Sequence, residues 1–136
     1  VLGGGLLLRD FLSRDVNDVR VGDCVDVPSA TSSTITELQH HPCDQAHTGE
    51  VVSVFDYSPA GATDPFPGVN AFKAQVAATC VTAFASYTGA TFEDRADLDM
   101  TYLHPTETSW SKGDRELICI AVAIDGAPMT GSIKKR

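Results

Sequence analysis

Basic residues are scarce in this 136-residue chain, where 10 Lys and Arg stand against 18 Asp and Glu for a formal net charge of −8. A field of that sign repels phosphate backbones and argues against a nucleic-acid partner. The Lys134-Lys135-Arg136 tail is too short to reverse it. No CxxC pair occurs, which argues against a zinc ribbon and a thioredoxin-type redox motif. There is no HExxH helix, no GxSxG elbow and no glycine-rich loop followed by a lysine motif, so metalloprotease, serine-hydrolase and phosphate-cradling signatures are all missing. Internal repeats and low-complexity segments are missing too.

What is present suits one ordinary folded domain: 43% of residues are apolar and only 21% are charged. Four cysteines, Cys24, Cys43, Cys80 and Cys119, make an even count in a chain small enough to gain from cross-links. Local content favours Cys24 with Cys43 and Cys80 with Cys119. Each bridge is worth about 3 to 4 kcal/mol on the loop-entropy account and implies an oxidising compartment. Four buried thiols in a reducing compartment are the alternative.

Val1 to Leu8 runs uncharged until Arg9 and Asp10. It is far shorter than the roughly 20 residues that span a bilayer, and reads as the end of a membrane helix or leader. The competing reading is a first helix, Leu6 to Val19, packing Leu7, Phe11 and Leu12. Residues 1–20 are thus expected to be anchor plus linker, with residues 21–136 as the folded domain.

Val21 to Val27 alternates apolar and polar residues as a half-buried strand does, and Pro28 stops it. After a turn at Ser29–Ser33, Thr34–Leu38 pairs with it as a hairpin that a Cys24–Cys43 bridge would staple. Glu50 to Tyr57 is rich in β-branched and aromatic residues and is the clearest strand of the first half. Ser58 to Pro67 holds prolines and Gly61, which makes it a loop. From Val69 to Tyr87 the positions Val69, Phe72, Val76, Cys80, Phe84 and Tyr87 recur at steps of three and four, which is one face of a long amphipathic helix ended by Gly89.

Leu98–Leu103 is a further strand, and Pro105–Gly113 is a turn or short helix carrying Trp110, the only tryptophan. Arg115–Ile124 is apolar on both faces, as a central strand is. Its Cys119 can then meet Cys80 on the helix stripe. Asp125-Gly126 marks a tight turn, with Met129–Lys134 returning as an edge strand. The fold class is α+β: a mostly antiparallel sheet of five or six strands, one long amphipathic helix on one face, and two disulfides.

Taken in order, Gly22-Asp23-Cys24-Val25, the segment Cys43-Asp44-Gln45-Ala46-His47-Thr48-Gly49-Glu50-Val51 and Phe66-Pro67-Gly68 form the first half of a pattern. Cys80 with Tyr87-Thr88-Gly89, Pro105-Thr106 with Trp110, Gly113-Asp114-Arg115 with Cys119, and Thr130-Gly131-Ser132 complete it. This ordered set resembles the septum formation domain of actinobacterial envelope proteins over about residues 21 to 133. The resemblance implies a membrane-tethered domain on the outer side of the cytoplasmic membrane, with a role in cell division or septum assembly and no known reaction.

Two clusters hold residues capable of chemistry. His47 and Glu50, with Asp44 upstream and His40 and His41 before it, offer an acid–base pair or metal ligands. In an extended segment His47 and Glu50 point to opposite faces, so joint action needs a turn at Thr48-Gly49. The simpler expectation is structural, with His47 bonded to its own loop and Glu50 paired with a cation such as Arg115. Trp110, Asp114 and Arg115 form the second cluster, able to grip an anionic or sugar-like ligand, or else to plug the core and shape a turn.

The reading favoured is a non-enzymatic module that binds an envelope or membrane protein. It needs no cofactor and no metal, and its candidate contact surface is the proline-rich loop with Phe66, together with Trp110. The alternative is a small-ligand or metal-binding envelope protein using His47, Asp44 and Glu50, or Trp110 and Arg115.

Overall fold

The computed structural model describes residues 13–15 as backbone, and residues 18–27 and 37–136 in full. The uncharged run Val1–Leu8, the alternative packing of Leu7, Phe11 and Leu12, and the turn Ser29–Ser33 lie outside the described residues. Among the described residues there are six strands: β1 (Ser13–Asp15), β2 (Cys24–Asp26), β3 (Glu37–His41), β4 (Gly49–Asp56), β5 (Leu98–Leu103) and β6 (Glu116–Ala123). Two α-helices join them, α1 (Val69–Thr88) and α2 (Glu107–Ser111), with a 3₁₀ turn at Phe92–Asp94.

All strand pairs are antiparallel, in the order β1-β3-β2-β4-β6-β5. The α+β class and the helix-on-sheet arrangement are therefore as expected. The sequence order β2-β3 gives the hairpin, and β4 and β6 are interior strands, each paired on both sides. One element differs from expectation: within the supposed linker of residues 10–20, Ser13–Asp15 pairs with β3 as an edge strand.

The central strands are apolar on both sides because both sides are covered. On one face Val52, Cys119 and Ala121 pack under Cys80, Phe84 and Tyr87 of α1. On the other, Val51, Ile118 and Ile120 pack with Val19, Val25 and Leu38. A third cluster at the end of the sheet joins Phe72, Trp110 and Leu117. A bulge between Val51 and Ser53 interrupts the β4–β6 register, so Val52 turns to the helix face while Val51 and Val54 stay on the other. Gly89, left-handed at φ 78°, ends α1 with its N–H on the carbonyl of Ala85.

Both disulfides are formed as paired in the sequence reading. Cys24–Cys43 joins the start of β2 to the turn after β3 across 19 residues, and Cys80–Cys119 ties α1 to β6 across 39. On the loop-entropy account the second, longer closure contributes about 4 kcal/mol and the first about 3.

The chain end departs from the expected edge strand. Met129 makes one antiparallel bridge with His47, and beyond it no ladder forms. The backbone instead turns at Gly131 (φ 91°), whose N–H reaches the carbonyl of Cys43 at 2.6 Å, and Lys135 N–H reaches the carbonyl of Tyr87 at 2.9 Å. Gly131, Ser132, Ile133 and Lys135 thus bond to the loop, to a buried carboxylate and to the helix end in place of a strand ladder.

Gly49 opens β4 for a packing reason. A Cβ there would lie 2.6 Å from Ile120 Cγ2 and 2.7 Å from Val27 Cγ2, both on branched side chains held in the sheet. Gly49→Ala is expected to cost about 1–3 kcal/mol through overpacking. Urea denaturation measures this as a lowered midpoint at unchanged slope.

Candidate functional site

Three chain segments converge on the fully buried carboxylate of Glu50. Tyr87, in the last turn of α1, donates its hydroxyl to Oε2 at 2.5 Å, and Ser132 Oγ donates to the same oxygen at 2.6 Å. The backbone N–H of Ile133 donates to Oε1 at 3.0 Å. These partners correct the expected pairing of Glu50 with Arg115, which sits at the other end of the sheet. Both hydroxyl donors belong to the motifs of the sequence pattern, but Tyr87 lies on an apolar helical stripe and Ser132 in an expected strand, so neither reads from the sequence as a partner of Glu50.

His47 joins the same site. The chain bends at Thr48, between the His47 bridge to Met129 and the start of β4, and this bend supplies the turn that bringing His47 and Glu50 together requires. Nε2 of His47 lies 3.9 Å from Glu50 Oε1, with both side chains fully buried. Nδ1 lies 2.7 Å from the carbonyl oxygen of Gln45 and donates to it, which leaves Nε2 as the ring nitrogen that faces Glu50. Nε2 has no hydrogen-bond partner.

Across the strand pair, Cys24 of β2 stands opposite Glu50. The sulfurs of Cys24 and Cys43 and a Glu50 carboxylate oxygen lie within 4.8 Å of one another. Asp44, by contrast, is exposed in the turn. His40 and His41 are spent along the hairpin: His40 Nε2 is 3.0 Å from Asp23 Oδ2 and His41 Nε2 is 2.7 Å from Asp26 Oδ2. Of the first candidate cluster, the fold thus unites His47 and Glu50 and leaves Asp44 outside.

Burial, and then the Glu50 carboxylate, raise the Tyr87 phenol above its ordinary value, because both oppose a phenolate there. The unfolded phenol ionises near pH 10.0 and the folded one only higher. Tyr87 therefore contributes stability below pH 10 that is lost as pH rises further.

At the opposite end of the sheet, Trp110 is only 4% exposed and packs among Tyr57, Phe66 and Phe72. Its Nε1 donates to the carbonyl of Asp64 at 2.7 Å. The Arg115 guanidinium stacks 3.7 Å over the indole, and its two Nη atoms donate to the carbonyls of Trp110, Asp114, Gly61 and Ala62 at 2.8 to 3.2 Å. The pair therefore clamps the 58–67 loop to the core, with both Nη atoms of the guanidinium bonded to backbone. Phe66 is half-buried and meets Phe72 and Trp110 edge-on, so the loop shows solvent only part of this ring.

Beside the clamp lies an open groove of about 440 Å³ lined by Asp56, Lys112, Asp114 and Glu116, among others. Burial, followed by the like charges of Asp114, Asp56 and Asp18, pushes the Glu116 carboxyl up to about 7.

Two outcomes follow for the site residues. Tyr87→Phe is expected to lower the unfolding free energy by about 1.5–3 kcal/mol near neutral pH, the range for a hydrogen bond to a charged group. Equilibrium denaturation of the variant measures it. For Glu116 the raised folded value means that its contribution is fully present below pH 4.5 and is lost as pH rises through about 7. Glu116→Gln is thus expected to match the wild-type melting temperature at pH 4.5 and to exceed it at pH 8, as a pH series of thermal melts will show.

No curated protein and no solved structure matches the chain. A family model described as septum formation matches residues 21–135, which takes in β2 to β6, both helices, both disulfides and the Glu50 site. The chain belongs to the septum formation family.

Proposed function

We propose that this domain is a membrane-tethered, extracytoplasmic binding module that works with an envelope or membrane protein in septum formation, without catalysing a reaction. The family match over residues 21–135 carries this reading, since it spans the whole described fold from β2 onward. The two disulfides support the oxidising side of the membrane.

None of the helices among the described residues is long and apolar enough to cross a membrane. The tether in this reading is therefore the segment at residues 1–8 or one preceding it. Support for a protein partner comes from α1. Lys73 is the only charged residue in its 20 positions, and Ala74, Ala77, Ala78 and Val81 are exposed along its outer side. A face this smooth, with Lys73 as its one charge, on a chain of net charge −8, suits close contact with a largely apolar protein surface. An accessory role in a larger membrane complex uses the same surface.

The test is the position of a full-length fluorescent fusion in dividing cells of the native organism. The expected result is signal in the envelope that concentrates at the division site as the septum forms. A signal spread evenly around the envelope through the whole division cycle, or confined to the cytoplasm, overturns the proposal.

A further inference from the structure

Buried polar atoms are nearly always paired, because an unpaired one forfeits its hydration without return. His47 Nε2 breaks that rule among the described residues: its side chain has no exposure, it has no hydrogen-bond partner, and it stands 3.9 Å from a Glu50 oxygen. Glu50 in turn has no cationic side chain among its hydrogen-bond donors. An unpartnered buried imidazole nitrogen 3.9 Å from a buried carboxylate is a donor pair that a cation would complete. The Cys24–Cys43 sulfurs lie within 4.8 Å of a Glu50 oxygen, while His47 Nε2 stands outside that cluster and has to close on it as the sulfurs part.

We propose that reduction of the Cys24–Cys43 disulfide opens a tetrahedral zinc site whose ligands are the two thiolates, His47 Nε2 and a Glu50 carboxylate oxygen. The donor set suits the ion: thiolate, imidazole and carboxylate are its usual ligands, at about 2.3 Å for sulfur and 2.0–2.2 Å for nitrogen or oxygen. Tetrahedral geometry at those lengths separates donors by about 3.4–3.8 Å. His47 Nε2 and Glu50 Oε1 stand 3.9 Å apart, already close to that span. The two sulfurs, bonded to each other in the oxidised protein, part on reduction toward that span.

The surrounding bonds are those of a supporting shell. A metal-bound histidine typically donates its other ring N–H to a carbonyl or carboxylate, and Nδ1 of His47 does so to Gln45. Tyr87 and Ser132 hold Oε2 and so orient the carboxylate. The cysteine backbones are fixed without the S–S bond. Cys24 is paired on both sides, with His41 of β3 and Glu50 of β4, and the Cys43 carbonyl accepts from Gly131 N–H.

The two disulfides differ in access. Cys43 is half-buried and open to attack, whereas Cys80 and Cys119 are 3% and 0% exposed in the core. The reductant is a dithiol. One of its thiolates attacks the Cys43 sulfur and expels Cys24 as thiolate, and its second thiolate then displaces Cys43 while closing its own disulfide. Two electrons and two protons pass to Cys24 and Cys43, and zinc binding afterwards releases those two protons to solvent. In the oxidised protein neither sulfur is a thiolate, so the site is closed.

The test is a cobalt(II) titration of the intact protein before and after reduction by a phosphine, with zinc as competitor. The expected result is one cobalt per chain in the reduced protein only, with thiolate charge-transfer absorption and intense tetrahedral visible bands that zinc abolishes. His47→Asn is expected to weaken cobalt binding by more than about 100-fold, beyond what loss of a supporting partner costs. Asp44→Asn, in the exposed neighbouring turn, is expected to bind as wild type does.

Because Glu50→Gln removes a carboxylate that the fold leans on, the second readout uses unmutated protein. Zinc should protect Cys24 and Cys43 of the reduced chain from alkylation, as a peptide map will show. Absence of cobalt binding after reduction, binding unchanged in His47→Asn, cysteines alkylated equally with and without zinc, or unfolding on reduction that zinc does not reverse each overturns the proposal.

Discussion

The fold turns on a carboxylate placed where water cannot reach it. Burying Glu50 costs several kcal/mol unless donors replace its hydration, so the chain is obliged to deliver them. The donors come from 37, 82 and 83 residues away, at Tyr87, Ser132 and Ile133. Meeting that demand sets the axial position of α1 through its last turn and draws the chain end across the sheet to the His47–Glu50 segment. The tail acquires its place from these few polar bonds and has no ladder of its own. A long-range constraint of this kind selects one arrangement among many that would bury equal apolar area.

The sheet is held differently at its other end. There an indole and a guanidinium, stacked on each other, collect the carbonyls of the 58–67 loop. Trp110 and Arg115 bond the carbonyls of Gly61, Ala62 and Asp64, and so hold the loop without a countercharge. Ser58 and Gln75 exchange further hydrogen bonds between the loop and α1. Both ends are therefore polar knots around an apolar middle, where Cys80–Cys119 pins helix to strand. Apolar packing supplies the bulk of the stabilisation, and the knots supply the register.

Much of this was legible from residue patterns. β4 and β6 announced themselves by β-branched runs, α1 by its three-and-four spacing and by Gly89, and the Cys80–Cys119 bridge by the coincidence of the helix stripe with the covered face of β6. The Cys43-to-Val51 segment and Trp110-Arg115 were both marked as places where chemistry-bearing residues gather. β1 was not legible, because Ser13-Arg14-Asp15 carries no apolar alternation and is a strand only by virtue of β3 beside it. The bulge in β4 was hidden because Val52 and Ser53 both fit a pleated surface. Glu50's partners were misjudged because a buried acid invites the search for a cation, whereas two hydroxyls and an amide meet the same need. Trp110, offered as contact surface, lies inside because its one polar atom finds the Asp64 carbonyl there.

The Cys43–Glu50 segment shows how a single irregularity serves both the fold and the site. Residues three apart on a regular strand face opposite ways, so an unbroken β4 reaching back to His47 would aim the imidazole away from Glu50. The bend at Thr48 reverses this, and it is held from outside: Val27 N–H donates to Thr48 Oγ1 at 2.7 Å, and Thr48 N–H donates to the Val25 carbonyl at 3.1 Å. Gly49 follows at once because the strand re-enters between Val27 and Ile120 with no room for a Cβ. The motif His47-Thr48-Gly49-Glu50 is thus read most simply as four consecutive solutions to one problem. A ring and a carboxylate are brought onto the same side of a sheet, in a space already crowded on the other.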